Sequence, residues 1–227
     1  MKPKPSLEQL SQLLNNAALF ARLDAKTKQR LVQTARWREV QTGEVLMLEG
    51  EQMPGLYVLQ YGWVKVVKSS VSGREQVLRY FEPGEMFNEI GILTDKPNPA
   101  TVIALEPAGL WLISRQAMRD LLQSEPDFAQ HVIEQLADRM VYLVSLITDI
   151  SLRPVTERLA RLLLDSAIAG VVHRPRWYTQ AELAARLGTV PDVIQRALRN
   201  LENEGVLTVQ RKKIQILDRS ALEKIAS

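Results

Sequence analysis

A short segment near the C-terminus carries polar side chains at the spacing of one helix face. These are Asp192, Gln195, Arg196 and Arg199. Intervals of three, one and three residues bring such side chains to the same side of a helix. Arg and Gln make paired hydrogen bonds to guanine and adenine edges in the major groove of DNA. The opposite face is apolar and is formed by Ile194, Ala197, Leu198 and Leu201. The pattern predicts a helix that packs with one face and reads DNA bases with the other.

The residues before this segment predict a second helix and a tight turn. Residues 179–182 read Thr-Gln-Ala-Glu, a capping box that opens a helix over 181–187. Residues 188–190 then form a short turn that begins with glycine. Pro191 suits the first turn of the next helix, where its missing N–H costs nothing, and Gly205 ends that helix. Two short helices joined in this way make a helix-turn-helix.

A basic hairpin is predicted directly after the second helix. The strands span residues 206–210 and 214–217 and enclose three consecutive cations. Such a wing contacts phosphates without reading sequence. We expect the DNA backbone to be contacted by Thr179, Gln180, Thr189, Arg211, Lys212 and Lys213. Two alternatives remain: the two helices are only a packing unit, or they bind a protein.

Charge and composition agree with a polyanion partner at one end of the chain. Residues 151–227 contain 13 Lys and Arg against 8 Asp and Glu, whereas residues 1–150 contain 16 and 18. The chain of 227 residues has no cysteine, which excludes disulfides, thiolate metal sites and iron–sulfur clusters. With His131 and His173 as the two histidines, we predict no metal site and no cofactor. No apolar run reaches the length of a membrane span, so we expect a cytoplasmic protein without a membrane partner.

The N-terminal half changes from helical to strand patterning. The first forty residues show leucines at helical spacing, with Asp24 as a plausible cap. Beyond Val40, short apolar pieces alternate with glycines, which indicates an antiparallel barrel, roll or sandwich. The pieces cover residues 45–48, 56–59, 63–67, 76–81, 101–105 and 110–113.

A long helix is predicted between the β region and the C-terminal segment. It runs from Ser114 to about Leu152 with a break near Pro126, and Pro154 ends it. Its second part carries a heptad seam of Ile133, Leu136, Met140, Leu143, Ile147 and Ile150. The seam favours pairing with a second copy of the chain. The alternative is a helix buried within one chain.

These motifs, taken in order, resemble the CRP/FNR family of bacterial transcription regulators. The similar stretches are residues 43–46, 59–65, 83–93 and 100–102, the heptad helix and the winged helix-turn-helix. The resemblance implies an α+β protein with an N-terminal antiparallel β-roll of the cyclic-nucleotide-binding type over residues 1–123. It further implies a dimerisation helix over 124–152 and a winged helix-turn-helix domain over 153–227. Family members bind near-palindromic promoter DNA as homodimers, and activate or repress transcription by contacting or obstructing RNA polymerase.

The cassette that binds the cyclic phosphate in family members is degenerate in this chain. Glu89 is kept, but Asn88 stands at the glycine position, and Asn98 and Pro99 stand at the Arg-Ser positions. Without the arginine a buried phosphate is unpaired, a penalty of about 3–5 kcal/mol. The helix positions that face the adenine are Leu143 and Val144 here. We therefore expect no ordinary affinity for cyclic AMP. The degenerate pocket comprises Asn88, Glu89, Ile90, Asn98, Pro99, Ala100, Leu143 and Val144.

The recognition helix also departs from the family pattern, commonly Arg-Glu-Thr-Val-Ser/Gly-Arg. The final arginine is kept as Arg196, which the resemblance implies reads guanine. Asp192 replaces the glutamate that accepts from cytosine, and Pro191 replaces the first arginine. The half-site sequence of the family therefore cannot be transferred whole.

Several interpretations of the β domain remain open at this stage. It is a structural platform without a ligand, it binds an unidentified effector, or it senses a gas through haem with His131 as a ligand. The lack of cysteine excludes the iron–sulfur sensors of the family. An enzyme is not expected, because Glu85 and Glu89 are better explained by the cassette than by acid–base catalysis.

Overall fold

A computed structural model describes the chain over residues 5–20, 22–52, 54–94 and 96–226. Antiparallel sheets dominate the N-terminal part and helices the remainder, which confirms the predicted α+β class. Contacts divide the chain into two compact units. The first contains the segments up to residue 68 and from 78 to 140, and the second contains 69–77 and the chain from 141 onward.

The chain begins with two short helices whose starts are fixed by side-chain caps. Helix α1 spans Leu7–Asn16 and α2 spans Ala25–Thr34, with a 3₁₀ turn at Ala18–Phe20 between them. The Asp24 side chain accepts a hydrogen bond of 2.7 Å from the Thr27 N–H, which confirms the predicted cap.

Eight strands follow along the chain, with one short helix among them, and all of their residues except 69 and 75–77 belong to the first unit. They are β1 Arg36–Val40, β2 Val45–Met47, β3 Gly55–Tyr61, β4 Val64–Ser69, β5 Glu75–Phe81, β6 Met86–Phe87, α3 Glu89–Leu93, β7 Thr101–Ala104 and β8 Ala108–Ser114. Six of the strands coincide with predicted pieces. The prediction of helix up to Val40 was wrong for β1, because this segment pairs along its whole length with β8. Its Trp37 ring also packs against Trp111 in a tilted arrangement, with ring centroids 5.0 Å apart.

Two four-stranded antiparallel sheets enclose an apolar interior in the described part of this unit. Their strand orders are β1-β8-β3-β6 and β2-β7-β4-β5. The interior contains Tyr57, Phe81 and Phe87 together with aliphatic side chains from both sheets. A second core forms where α1 and α2 pack on the outer face of the first sheet, around Phe20 and Trp111.

The helices after the sheets break and end where the sequence predicted. Helix α4 spans Arg115–Ser124, and α5 spans Pro126–Leu152, so the break at Pro126 and the end before Pro154 are confirmed. No helix within the described ranges is long and apolar enough to cross a membrane.

The second unit contains the C-terminal helices and a small sheet. Its elements are α6 Val155–Ser166, β9 Val171–His173, α7 Gln180–Leu187, α8 Pro191–Asn203, β10 Leu207–Val209, β11 Lys213–Ile216 and α9 Arg219–Ala226. The strands pair antiparallel in the order β10-β11-β9, and one core joins this sheet to the helices.

Candidate nucleic-acid interface and sensor site

Helix α7 is fixed at both ends by residues that the sequence singled out. The Thr179 hydroxyl accepts a hydrogen bond of 3.2 Å from the Glu182 N–H, as a helix cap does. Gly188 ends the helix at φ +63°, in the left-handed region that favours glycine. A Cβ at this position would lie 2.7 Å from the oxygen at the end of the flexible Gln76 side chain, so the positive φ, rather than lack of space, favours glycine.

Helix α8 has one buried and one exposed face. Ile194, Ala197, Leu198 and Leu201 are buried in the core of the second unit. Asp192, Arg196 and Arg199 are exposed, as the spacing predicted, whereas Gln195, also expected on the exposed face, is half-buried. The helix starts with Pro191 in its first turn, and Val190 precedes it without a side-chain cap. The exposed face therefore offers two guanidinium groups, an amide and a carboxylate to a partner.

A buried arginine, which no sequence motif indicated, contacts the end of α7 just before the turn to α8. Arg158 of α6 is 8% exposed and donates a hydrogen bond to the carbonyl of Leu187, the last residue of α7. Burial lowers the pKa of the Arg158 guanidinium, and the negative charge of Asp149 acts in the opposite direction. Arg158 thereby satisfies an end carbonyl of α7 that the helix cannot pair internally.

The wing is a three-stranded sheet rather than the predicted two-stranded hairpin, because β9 pairs with β11. Arg211 and Lys212 lie exposed in the turn between β10 and β11. Lys213 is the first residue of β11 and is half-buried, with its Nζ 3.4 Å from the Gln215 side-chain oxygen. Two exposed cations at the turn and a third beside it form a basic edge.

A second arginine links the wing to the start of the helix-turn-helix. Arg174 donates to the carbonyl of Gln210 at 3.2 Å and to the carbonyl of Tyr178 at 3.3 Å. Tyr178 directly precedes the cap Thr179, which is exposed, while Gln180 and Thr189 are half-buried. The predicted phosphate-contacting residues thus belong to segments that are held together by hydrogen bonds.

In the first unit, Asn88 occupies the cassette position where the family has glycine. Its φ is +79°, a region that Asn tolerates better than most residues other than glycine. The Asn88 side-chain amide donates to the Gly55 carbonyl at 2.6 Å and is buried. Asn therefore keeps the backbone conformation of a glycine and adds a hydrogen bond to β3.

The retained cassette carboxylate is already paired within the chain. The Glu89 carboxylate lies 3.3 Å from a guanidinium nitrogen of Arg139, and the two side chains are 15% and 20% exposed. The Arg139 guanidinium also lies 5.9 Å from the ring centre of Phe81. No local sequence pattern indicates Arg139, because it lies 50 residues from Glu89.

Aromatic rings fill the interior of the roll beside this ion pair. The Tyr57 and Phe87 rings are stacked with centroids 5.3 Å apart, and Phe81 lies 5.1 Å from Phe87. The Arg79 guanidinium lies over the Phe81 ring, 4.7 Å from its centre. The three rings are thus part of the buried apolar core of the roll.

The other residues predicted for the degenerate pocket differ in their exposure and belong to two units. Asn98 and Ala100 are buried, whereas Pro99 is exposed. Leu143 and Val144 are 39% and 59% exposed and belong to the second unit. The side chain of Ile90 lies outside the described residues.

The seam residues of α5 are mainly exposed. Ile133, Met140, Leu143 and Ile147 have exposed fractions between 39% and 68%. Leu136 and Ile150 are half-buried within their own chain. The exposed members form an apolar stripe along the helix, which we call the α5 stripe (Ile133, Met140, Leu143 and Ile147).

Two family models match successive parts of the chain. Residues 37–125 match the cyclic nucleotide-binding domain, and residues 157–225 match the Crp-like helix-turn-helix domain. The first match contains the roll with the Glu89 cassette, and the second contains the Arg158 turn, α7, α8 and the wing. The order is that expected from the motifs.

Individual proteins with related sequence or structure match almost the whole chain. A CRP-like cAMP-activated global transcriptional regulator of Mycobacterium tuberculosis is 23% identical over 96% of this chain and all of its own length. A solved structure from Eubacterium rectale, assigned to the crp/fnr family of transcriptional regulators, has a TM-score of 0.75 at 24% identity and covers 93% of this chain and 99% of its own. FixK2 from Bradyrhizobium japonicum has a TM-score of 0.74 at 21% identity, over 85% of this chain and 98% of its own. With both domain models in tandem and this fold, the chain belongs to the CRP/FNR family of DNA-binding transcription regulators.

Proposed function

We propose that this protein is a homodimeric regulator that binds near-palindromic promoter sites and does not depend on cyclic AMP. The observation that best supports DNA binding is the exposed polar face of α8, which lies opposite the buried apolar face of the same helix. Arg196 and Arg199 are exposed on this face, and the basic turn with Arg211 and Lys212 follows on the same unit. In this arrangement α8 reads bases in the major groove, while the wing binds phosphates.

The α5 stripe supports the homodimer. Its four apolar side chains recur at heptad spacing on a helix of 27 residues, and each is at least 39% exposed. A heptad seam buries such residues against an equivalent helix. Because a two-fold dimer presents two copies of α8, its operator has two half-sites one helical turn apart, or a multiple of that distance.

Independence of cyclic AMP is supported by the cassette. The cation position is Asn98, the carboxylate of Glu89 is paired with Arg139, and aromatic rings fill the interior. A cyclic nucleotide would have to compete with Arg139 for the Glu89 carboxylate and bury a phosphate without the family's arginine. The Mycobacterium tuberculosis relative is described as cAMP-activated, and this chain is proposed to differ from it in that respect.

Selection from a random double-stranded DNA library with the purified full chain tests this proposal. Parallel selections run with and without cyclic AMP, and calorimetry measures cyclic AMP binding directly. We expect the same two-fold symmetric motif in both selections and no micromolar binding of cyclic AMP. An asymmetric motif contradicts the dimer on palindromic DNA, and enrichment that requires cyclic AMP contradicts nucleotide independence.

RNA polymerase is the second partner in this proposal. The regulator activates where it contacts the polymerase and represses where it blocks the promoter. In vitro transcription with the selected site placed upstream of a promoter, or overlapping it, distinguishes these effects. Unchanged transcription from both templates at saturating protein contradicts a role for the polymerase.

A further inference from the structure

A small cavity lies in the first unit, apart from the cassette carboxylate Glu89. It has a volume of about 170 Å³, and its wall includes β1, β2, the loop after β2, and Asn98. Pockets for drug-sized ligands measure roughly 300–1,000 Å³, so this one suits a smaller molecule. Its polar wall is formed by Arg38, Glu51, Gln52, Tyr57 and Asn98. We call it the Arg38 cavity.

Asn98 presents a buried donor at this cavity. The residue is 6% exposed, and its side-chain nitrogen has no hydrogen-bond partner among the described residues. Its backbone is held on both sides, since its N–H donates to the Glu51 carbonyl and its carbonyl accepts from the Gly50 N–H, both at 2.8 Å. Buried side-chain donors nearly always have a partner, so this nitrogen, on a residue that lines the cavity, calls for an acceptor.

Arg38 supplies positive charge to the same cavity. It is the one cation among the described residues of the wall. One guanidinium nitrogen donates to the Leu46 carbonyl at 3.0 Å, which fixes the group, and another lies at 4.0 Å from Glu44. The side chain is 39% exposed, so the guanidinium is accessible from the solvent side.

Tyr57 adds a hydroxyl beside the guanidinium. Burial raises the pKa of Tyr57, while Arg38 acts to lower it through its charge and a hydrogen bond. The Glu51 carboxylate, the acid of the wall, is 3.3 Å from the Leu48 N–H and is thereby engaged by the loop backbone. The wall therefore combines a guanidinium, a hydroxyl and an amide donor, the groups that recognise a carboxylate or phosphate.

We propose that the Arg38 cavity binds a small molecule through an oxyanion group, with Arg38, Tyr57 and Asn98 as donors. The position that holds the cassette arginine in cyclic-nucleotide binders contributes an amide here, and β1 contributes the cation instead. The volume of about 170 Å³ suits inorganic phosphate or a short carboxylate. The site does not depend on the proposed DNA-binding function, because its residues all belong to the first unit.

Calorimetric titration of the full chain in chloride buffer, without DNA, tests the site. The probes are inorganic phosphate and acetate, which distinguish a phosphate site from a carboxylate site at constant ionic strength. We expect saturable binding of at least one probe and at least a tenfold loss of affinity in Arg38→Gln. Arg36→Gln is the matched control, because Arg36 lies on the same strand but does not line the cavity. Equal losses in both variants, or no saturable binding of either probe, overturn the proposal.

Asn98→Asp provides a second test that does not rely on Arg38, whose contact with Leu46 also serves the fold. The substitution preserves shape but places a carboxylate at the donor position, so it should abolish binding of both probes. The melting temperature in chloride establishes that the variant is folded. In the wild-type chain labelled with ¹⁵N-asparagine, the Asn98 side-chain amide signal is identified as the one that is absent from the folded Asn98→Asp variant. This signal should shift when a probe is titrated into the wild-type chain. Unchanged affinity in Asn98→Asp, or a static amide signal, refutes the role of Asn98 and with it the site.

Discussion

The guanidinium of Arg158 donates a hydrogen bond to the carbonyl of Leu187, the last residue of the first helix of the helix-turn-helix. The charged side chain is 8% exposed and lies under the turn that sets the angle between α7 and α8. Asp149, near the end of α5, acts electrostatically on the same guanidinium. One residue of α6 thus connects the end of the long helix with the DNA-binding motif inside the second unit.

Replacing Arg158 by methionine should destabilise the second unit by about 2 kcal/mol, because a charge-assisted hydrogen bond to the end of α7 is lost. Methionine keeps much of the apolar stem, so the loss reports on the guanidinium. Urea unfolding, followed in the second unit by Trp177 fluorescence, measures the change. Arg219→Met is the control, since Arg219 forms an exposed pair with Glu223 and should change stability by less than about 0.5 kcal/mol. Equal stability of the two variants contradicts the capping role.

Arg158 and Arg139 also mark the limit of what the sequence could predict. The ends of helices were predictable from capping and helix-breaking residues. Asp24, Pro126, Pro154 and Gly188 each act on the local backbone. Partners distant along the chain have no such local pattern, so the pairing of Arg139 with Glu89 was missed. The sequence contains one weak signal that Arg158 is buried: it lies four residues before Leu162 and hence on the apolar face of α6.

The missed strands have a related explanation. Strand β1 contains two arginines and a glutamate in five residues, so its sequence lacks the apolar alternation of a strand. It forms because β8 offers a partner with a matching register, from Arg36 opposite Leu112 to Val40 opposite Ala108. Strand β9 has only three residues and depends on β11 in the same way. Tertiary pairing, which no local pattern encodes, decides both.

Ile147→Glu in the α5 stripe should convert the dimer to a monomer. Burying an unpaired carboxylate in the seam costs at least about 3 kcal/mol, which raises the dissociation constant roughly 100-fold or more. Light scattering after size-exclusion chromatography, over a dilution series, measures the mass. Thr148→Glu introduces the same charge at the next, exposed position outside the seam and should remain dimeric. Dimers in both variants contradict the seam.

Arg196→Ala should weaken binding to the selected operator by about 1–3 kcal/mol and relax the preference at one base pair. The exposed guanidinium on α8 is expected to donate two hydrogen bonds to one guanine, so other positions keep their preference. Fluorescence anisotropy on operators substituted one base pair at a time measures both effects. A uniform loss over all of these operators contradicts base reading and makes Arg196 a phosphate contact.

Lys212→Gln should weaken binding to all DNA sequences and reduce the salt dependence. Each phosphate contact contributes about 0.9 to the slope of log affinity against log salt, so the slope should fall by about 1. Anisotropy titrations across a salt series give the slope for operator and unrelated DNA. Lys26→Gln, a change of an exposed lysine in the first unit, is the control and should leave the slope unchanged.

At position 88 of the cassette, the glycine variant should be more stable than the alanine variant, which is the reverse of the usual order within a helix. Asn88→Ala loses the hydrogen bond to the Gly55 carbonyl and keeps a Cβ at φ +79°, while Asn88→Gly loses the bond without that strain. We expect the alanine variant to be less stable than the glycine variant by about 1 kcal/mol, although both are less stable than wild type. Unfolding followed by Trp37 and Trp111 fluorescence measures the roll. The same pair of substitutions at Asn200, inside α8, should give the ordinary order with alanine more stable. If alanine is also the better residue at position 88, the left-handed backbone is not what constrains the cassette, and the hydrogen bond to β3 alone accounts for the asparagine.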